Sequence, residues 1–405
     1  MLKSKTLGLL ACILIAVIAL TGCGGSKQAA EKSSSESSSA EKSSTEAKKE
    51  PYKIGAILDS SGPASSLGIP ERNTVQMLVD EINKKGGIDG HPIDLIMLDT
   101  KSNETEAALA AKKLIQQDVL AIVGASTSGS TMAMVESVQN AKIPLVSAAA
   151  SIKIVEPVNE RKWVFKTAQS DSLVTAKIIE YLKSKGISDV GFISVNDAYG
   201  DSGRAEFTKL AEKEGINIVV QEKFEKSDSM MTSQLTSIKK ANPEAVIAWA
   251  IPPAASTLTA NYRQMGLTMP LFHSHGIGNQ TFIDLAGDAA NGVIFPIGKL
   301  VVRDTLPASD PQYSVLKDYA DQYKAAGHGN VDTFGGHAWD ALMVVVNAIE
   351  KAGPDKAKIR DELEATKNFV GITGVFNMSP SDHNGLALSD LVIVEIKDGK
   401  AQLIK

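Results

Sequence analysis

Short apolar segments alternate with longer amphipathic ones along the chain after Pro51. KIGAIL at 53–58 is a compact apolar run, and the segment 71–85 has apolar positions three and four residues apart before it ends at Gly86-Gly87. The first pattern is typical of a buried strand, and the second of an amphipathic helix that glycine closes. The alternation continues with predicted strands at 93–98 and 121–124 and predicted helices at 103–117 and 131–140.

A second series of the same kind begins near residue 190. Its predicted strands are 190–195, 216–221, 245–250 and 270–274, and its predicted helices are 203–214, 230–240 and 254–265. Strands that alternate with helices form parallel sheets. We therefore predict an α/β fold of two doubly wound lobes, completed by helices within 300–366 and by a hairpin that turns at Asp398-Gly399.

The segment GASTSGST at 124–131 follows a predicted strand, and ligands of open parallel sheets bind outside the carboxyl ends of the strands. A phosphate loop would have lysine where Ser130 stands. A nucleophile turn, G-x-S-x-G, would have glycine where Ser128 stands. His273 and His275 have no cysteine or clear carboxylate ligand nearby in sequence, so they give little support for a metal site. We expect no catalytic residues, metal or cofactor.

The same segment has hydroxyl side chains at the predicted start of a helix. Helix N-termini bind anions, and the absence of lysine favours a singly charged carboxylate over a polyphosphate. The alternative is a Ser/Thr-rich helix cap, which contributes about 1 kcal/mol to the fold and nothing to function. The next predicted strand, 143–147, is followed by Ala148-Ala149-Ala150-Ser151, so two adjacent strand ends present small and hydroxyl residues.

The N-terminus has the pattern of a secretory signal peptide. Lys3 and Lys5 precede an apolar run from Leu7 to Leu20, which is shorter than the roughly 20 residues that span a membrane. Leu-Thr-Gly-Cys at 20–23 resembles the lipobox of bacterial lipoproteins. We therefore expect residues 1–22 to be removed and Cys23 to be lipidated, holding the protein at the outer face of the cell membrane. An uncleaved anchor that ends in cysteine is the alternative.

Residues 23–50 predict a tether. From 24 to 50 they are almost wholly Ser, Glu, Lys and Ala, a composition that cannot bury enough apolar surface to fold. Removal of residues 1–22 takes away two lysines and changes the formal charge from −5 to −7, which argues against nucleic acid as a partner. Cys12 lies within the signal, so the mature chain has no second cysteine and must be stabilised by its hydrophobic core.

Several motifs together resemble the Leu/Ile/Val-binding type of solute-binding protein, which serves ATP-driven (ABC) importers. They are SGPASSLGIPERN (61–73), EINKKGGIDGHPIDLIMLD (81–99), GASTSGST with IPLVSAAAS (143–151), VNDAYGDSG (195–203), YRQMGL (262–267) and HAWDALMVVVNAIEKAG (337–353). The resemblance implies the type I periplasmic binding fold, two lobes joined by three crossover segments and closing over a ligand in the cleft. Lobe 1 would contain 51–167 and 299–371, and lobe 2 would contain 168–298 and 372–405.

The resemblance also implies the positions that contact ligand. The ligand carboxylate would be held by Thr127 and Ser128, together with a backbone contact at Ala149 and a hydrogen bond from Ser151. Leu67 would line the apolar wall, and Tyr199 would close over the ligand from the second lobe.

The chain departs from that pattern at His275, which stands where amino-acid binders of this type place a glutamate for the ligand's α-ammonium. A buried ammonium without an anionic partner is costly. Asp171 or Asp197 would have to replace the missing acid. The aromatic residues Trp249 and Phe334 would face a flat ligand or belong to the core.

We therefore expect a monomeric extracytoplasmic receptor that delivers a small carboxylate to an ABC permease. Branched-chain and related amino acids compete as ligands with aromatic or aliphatic acids that lack an amino group. A sensor subunit that signals to a membrane kinase is a second possibility. An amide hydrolase on the same scaffold is a third, but no general base with a clear partner supports it.

Overall fold

The computed structural model describes residues 49–404. The predicted signal peptide, Cys23 and the tether as far as residue 48 lie outside the described residues. No helix in 49–404 is both long and apolar enough to cross a bilayer.

The first lobe is built on a sheet of five parallel strands. These are β1 (Tyr52–Leu58), β2 (Ile93–Asp99), β3 (Ala121–Gly124), β4 (Leu145–Ser147) and β5 (Val164–Lys166), in the order β2-β1-β3-β4-β5. The helices between them are α1 (Ser65–Lys84), α2 (Glu104–Gln116) and α3 (Ser128–Ala141). Strand β3 is buried at every residue, as its continuous apolar run predicts.

The second lobe repeats this plan. Its strands are β6 (Asp189–Val195), β7 (Asn217–Phe224), β8 (Ala245–Trp249), β9 (Leu271–His273) and β10 (Val293–Gly298), which pair in parallel. Its helices are α4 (Asp171–Ser184), α5 (Ala198–Glu214), α6 (Thr232–Ala241), α7 (Ala254–Gln264) and α8 (Gln280–Ala286).

After β10 the chain returns to the first lobe. It forms α9 (Tyr313–Ala325), α10 (Thr333–Ala352), α11 (Lys356–Glu364) and a small antiparallel pair, β11 (Phe369–Val370) and β12 (Val375–Phe376). Helix α10 packs against α1 and its apolar face is buried in the first core with residues of β1 and β3. The hairpin β13 (Leu391–Lys397) and β14 (Lys400–Leu403) then extends the second sheet antiparallel to β10.

The chain thus passes between the two sheets three times. The last of these crossings lies later in the chain than we expected. We expected the second lobe to resume at residue 372. Phe376, Met378 and Leu386 lie in the hydrophobic core of the first lobe, so the chain returns to the second sheet only at β13. The segment between β12 and β13 contributes few apolar residues to the core, a signal too sparse to assign it to either lobe from sequence.

Three of the helices with predicted bounds begin at least three residues earlier than the apolar pattern predicts, and α5 is one of them, at Ala198 rather than at 203. Helix α1 begins at Ser65 rather than at residue 71, with Pro70 inside it. Helix α3 begins at Ser128 rather than at 131, because the extended residue Thr127 caps it through its hydroxyl. The earlier start brings Ser128 and Gly129 into the first turn of α3.

Candidate functional site

A cavity of about 110 Å³ lies between the lobes and is lined by residues of both. Six of the eight predicted ligand-binding residues line it: Leu67, Thr127, Ser128, Ala149, Tyr199 and His275. The other two, Ser151 and Asp171, are buried outside the cavity lining. Sequence positions from 67 to 275 therefore converge on one site.

The loop before α3 is held by a buried carboxylate that the sequence patterns did not indicate. Asp59 follows β1, and its Oδ2 accepts hydrogen bonds from the backbone N–H groups of Ser126 and Thr127, both at 3.1 Å. Its Oδ1 accepts from the hydroxyls of Ser130 at 2.9 Å and Thr100 at 2.6 Å. An acid directly after a strand of a parallel sheet was the available signal, since strand ends meet at one edge.

The first turn of α3 retains donors for a ligand. The first helical backbone bond runs from Thr131 to Thr127, and the N–H of Ser130 donates to the Thr127 hydroxyl at 3.4 Å. The N–H groups of Ser128 and Gly129 precede the helical ladder and have no acceptor within the helix. Both residues line the cavity. Two adjacent N–H groups and the Ser128 hydroxyl form a suitable anion site at the positive end of a helix.

Thr127 has a different role from the one expected. Its N–H donates to Asp59, and its hydroxyl donates to Ser130 Oγ at 2.9 Å. Both groups are therefore engaged within the protein. Thr127 shapes the loop and caps the helix, whereas Ser128 supplies the free donors.

The end of β4 forms the adjoining wall. Ala148, Ala149 and Ala150 all line the cavity, and the N–H of Ala149 donates to Ser147 Oγ at 3.0 Å. Ser151 lies behind this wall, where its hydroxyl donates to Ser202 Oγ of the second lobe at 2.6 Å. We expected Ser151 to bond the ligand; instead it joins the two lobes.

Tyr199 forms part of the second-lobe wall. Its hydroxyl donates to Ser274 Oγ at 2.9 Å, so the ring rather than the hydroxyl is offered to the cavity. Burial raises the pKa of Tyr199 above its usual value, which keeps the phenol neutral. Trp249 packs against Phe192 in the core of this lobe, whereas Phe334 of α10 lines the cavity.

His275 lines the cavity from the turn after β9 and is 2% exposed. Burial and then the nearby Lys166 lower its pKa to about 3, against the opposing effect of a hydrogen bond with the backbone of Gln169. His337, in the first turns of α10, also lines the cavity and is neutral for the same reason. No local pattern indicated His337, because it reaches the site only through the packing of α10 on the first sheet.

Neither acid expected to replace the missing glutamate is free in the cavity. Asp171 lies behind the wall, where its Oδ1 accepts from the N–H of Ile152 at 3.0 Å, and burial raises its pKa. Asp197 lines the cavity, but it caps α5 by accepting from the N–H of Gly200 at 2.9 Å and pairs with Lys226 at 2.9 Å.

Within residues 49–404 no cluster of His, Cys, Asp and Glu side chains is arranged to hold a metal ion. His273, the neighbour of His275 in sequence, is fully buried and its Nε2 shares a hydrogen bond with the hydroxyl of Thr259 at 2.9 Å. It packs on Phe282 in the second lobe and does not line the cavity.

Comparison with known proteins agrees with this architecture. A leucine-, isoleucine-, valine-, threonine- and alanine-binding protein of Pseudomonas aeruginosa is 26% identical over 348 residues, covering 85% of this chain and 89% of that protein. An extracellular ligand-binding receptor of Rhodopseudomonas palustris HaA2 superposes with a TM-score of 0.83 at 31% identity, covering 88% of this chain and 100% of the other.

A branched-chain amino acid transporter substrate-binding protein of Streptococcus pneumoniae, solved with isoleucine, superposes with a TM-score of 0.77 at 28% identity over 87% of this chain and 98% of the other. These relatives are solute-binding proteins, so the expectation of binding rather than catalysis is confirmed. The family model described as periplasmic binding protein matches residues 51–401. The chain therefore belongs to the periplasmic binding protein family.

Proposed function

We propose that this protein captures a small monocarboxylate outside the cytoplasm and delivers it to an ABC permease. One observation carries the proposal: the free N–H groups of Ser128 and Gly129 and the Ser128 hydroxyl meet in a cavity that both lobes enclose. A carboxylate placed there would accept charge-assisted hydrogen bonds at a helix N-terminus. Closure of the lobes over it would present one bound state to a membrane partner.

The ligand class has two candidates. The names of the relatives, which include leucine, isoleucine and valine, support an amino acid. The histidine in place of a glutamate supports an acid without an amino group.

Thermal unfolding of the purified full chain tests carboxylate capture. A panel of aliphatic and aromatic amino acids and their des-amino counterparts is added at increasing concentration. A ligand present at about 100 times its dissociation constant should stabilise the protein by ~2.7 kcal/mol. A matched panel of amides and alcohols that lack the carboxylate is the control, and stabilisation by these compounds but by no carboxylate would contradict the proposal.

Membrane attachment through Cys23 is a separate part of the proposal. It is supported by the apolar run and the lipobox-like residues that precede Cys23. Cys23→Ala should release the protein from the membrane fraction into the medium. Cys12→Ala is the matched control, because these are the two cysteines of the chain. Retention of the Cys23→Ala variant in the membrane would support an uncleaved anchor.

A ligand-sensing subunit remains a second candidate, since it would use the same cavity. Uptake of labelled ligand distinguishes the two. Deletion of the protein should abolish uptake if it serves a permease, and it should leave uptake unchanged if it serves a sensor kinase.

A further inference from the structure

Two buried histidines line the cavity, one from each lobe. His275 is 2% exposed and His337 is 1% exposed. Among the described residues, His275 Nδ1 and His337 Nε2 have no hydrogen-bond partner, whereas His337 Nδ1 shares a hydrogen bond with Thr373 Oγ1 at 2.9 Å. Buried polar atoms in proteins are nearly always paired. Unpaired nitrogens on two residues that line the cavity are therefore available to a polar group of the ligand.

These histidines form a neutral wall. Burial lowers the pKa of His275 to about 3. The pKa of His337 is also lowered well below its ordinary value, first by burial and then by its proximity to His275. Neither ring carries a charge at neutral pH, so the wall suits a neutral hydrogen-bonding group.

A buried lysine lies behind this wall. Lys166 is fully buried, and its Nζ donates to the carbonyl of Ala168 at 2.7 Å and to Ser170 Oγ at 3.0 Å. Ala168 itself lines the cavity. Burial lowers the pKa of Lys166 to about 7, and the nearby Asp171 and Asp382 oppose that change, so the side chain is only partly cationic at neutral pH. Its cationic form lowers the pKa of both histidines, so the field of that form reaches the site. That field opposes a ligand ammonium and favours a carboxylate.

Asp171 and Asp382 offset part of the charge of Lys166, but the carboxylates near the cavity are poor partners for a ligand ammonium. Asp197 is paired with Lys226, and Asp171 is behind the wall. Glu104 lines the cavity but is exposed, beside Gly129 at the N-terminus of α3. An exposed carboxylate is a weak partner for an ammonium, since solvent screens the pair.

We infer that the ligand is a monocarboxylate that lacks an ammonium group and presents a neutral hydroxyl to His275 and His337, or a carbonyl oxygen to His337. The inference rests on the proposed function and names its ligand class. A neutral imidazole donates through one nitrogen and accepts through the other. A ligand hydroxyl can bond either ring, whereas a ligand carbonyl can accept only from His337, because His275 donates its N–H to the backbone of Gln169.

Titration calorimetry at pH 7 with four acids of one carbon skeleton tests the inference. The acids are leucine, 2-hydroxy-4-methylpentanoate, 4-methyl-2-oxopentanoate and 4-methylpentanoate. We expect the hydroxy or the oxo acid to bind about tenfold or more tightly than both leucine and the plain acid, because a site built around a polar group rejects a ligand without it. Leucine binding as tightly as the best of the other three would overturn the inference and leave carboxylate capture standing. Failure of all four acids, and of the aliphatic and aromatic acids in the unfolding panel, would overturn both.

His337→Phe keeps an aromatic ring and removes the nitrogens. It should abolish the preference for the oxygenated acid over 4-methylpentanoate. An unchanged preference in this variant and in His275→Phe would overturn the inference. Circular dichroism establishes that each variant folds; if one does not, the four-acid series on the unmodified protein still decides.

Glu104→Gln is the matched control for an ammonium site. The inference predicts an unchanged ranking of the four acids. If the unmodified protein prefers leucine and the variant loses affinity for leucine alone, Glu104 is the ammonium partner and the inference is overturned.

Discussion

The backbone carbonyl of Ser66 in the first lobe accepts a hydrogen bond from the side-chain amide of Asn279 in the second lobe, at 3.2 Å. Ser66 lies four residues before Pro70 within α1, and proline has no N–H for the carbonyl four residues earlier. The proline thus leaves a carbonyl free in α1, and the opposite lobe binds it. This contact, together with the bond from Ser151 to Ser202, joins the lobes around the cavity.

Asn279→Asp tests this contact. Asn279 also caps α8 by accepting from the N–H of Phe282 through Oδ1 at 3.1 Å, and aspartate retains that role. The variant replaces the donor that faces Ser66 with an oxygen, which disfavours the arrangement with the lobes together. We expect the affinity for every ligand to fall by about 1–2 kcal/mol with little change in unfolding free energy. Calorimetry and urea denaturation measure the two quantities.

Ser202→Ala removes the other of these two hydrogen bonds between the lobes. Because Ser202 does not line the cavity, this change should also lower the affinity for all ligands by a similar amount. A loss confined to one ligand class would mean that these residues act on the ligand itself rather than on lobe closure.

Asp59 organises the carboxylate-binding loop, so its substitution should affect both stability and binding. In the unmodified protein, backbone and hydroxyl donors bond the Asp59 carboxylate. Asp59→Asn replaces one carboxylate oxygen with an NH₂ group, which is itself a donor and cannot accept these hydrogen bonds. We expect the unfolding free energy to fall by about 2–3 kcal/mol and the affinity for carboxylates to fall with it. Urea denaturation and calorimetry measure these changes. Full stability in the variant would show that the loop does not depend on this carboxylate.

Two neighbouring residues of the loop should separate binding from stability. Ser128→Ala removes a cavity hydroxyl and should weaken any carboxylate ligand by about 1–3 kcal/mol. Thr127→Ala removes the helix cap and should lower the unfolding free energy by about 1 kcal/mol with a smaller effect on affinity. Calorimetry and thermal unfolding of both variants make the comparison. Equal effects of the two changes on affinity would contradict the assignment of Ser128 as the ligand donor.

His275 should make the protein less stable in acid than a variant without the imidazole. Its folded pKa is about 3, below the ordinary value of 6.5, so the unfolded chain takes up a proton first as the pH falls. The contribution of His275 is fully present above pH 6.5 and is lost between there and about 3, at a slope of about 1.4 kcal/mol per pH unit. As the pH falls, the unfolding free energy of His275→Gln should rise relative to that of the unmodified protein by the same amount per pH unit. Urea denaturation of both proteins between pH 7.5 and 4.5 measures it, and a pH-independent difference would show that His275 titrates normally.

The lobes and most of the cavity were predictable because their signals are local. Buried strands are continuous apolar runs, and loops at the ends of parallel strands converge, which brought Ser128 and Tyr199 into the site as expected. The contact between Ser151 and Ser202 was not predicted, because it depends on how the lobes meet.

The remaining features depend on packing between distant segments. His337 reaches the cavity because α10 packs beside α1, and nothing in the residues around it indicates a ligand wall. The late return to the second sheet depends on Met378 and Leu386, two apolar residues in a polar segment whose partners lie in the first core. Such placements follow from tertiary contacts that have no sequence period.

A structure of the protein with a bound monocarboxylate tests the central claim most directly. The account predicts that the ligand carboxylate oxygens lie roughly 2.7–3.2 Å from the N–H nitrogens of Ser128 and Gly129, or from the Ser128 hydroxyl. A carboxylate held elsewhere in the cavity, for example by Lys226 at its edge, with the first turn of α3 making no contact, would contradict it.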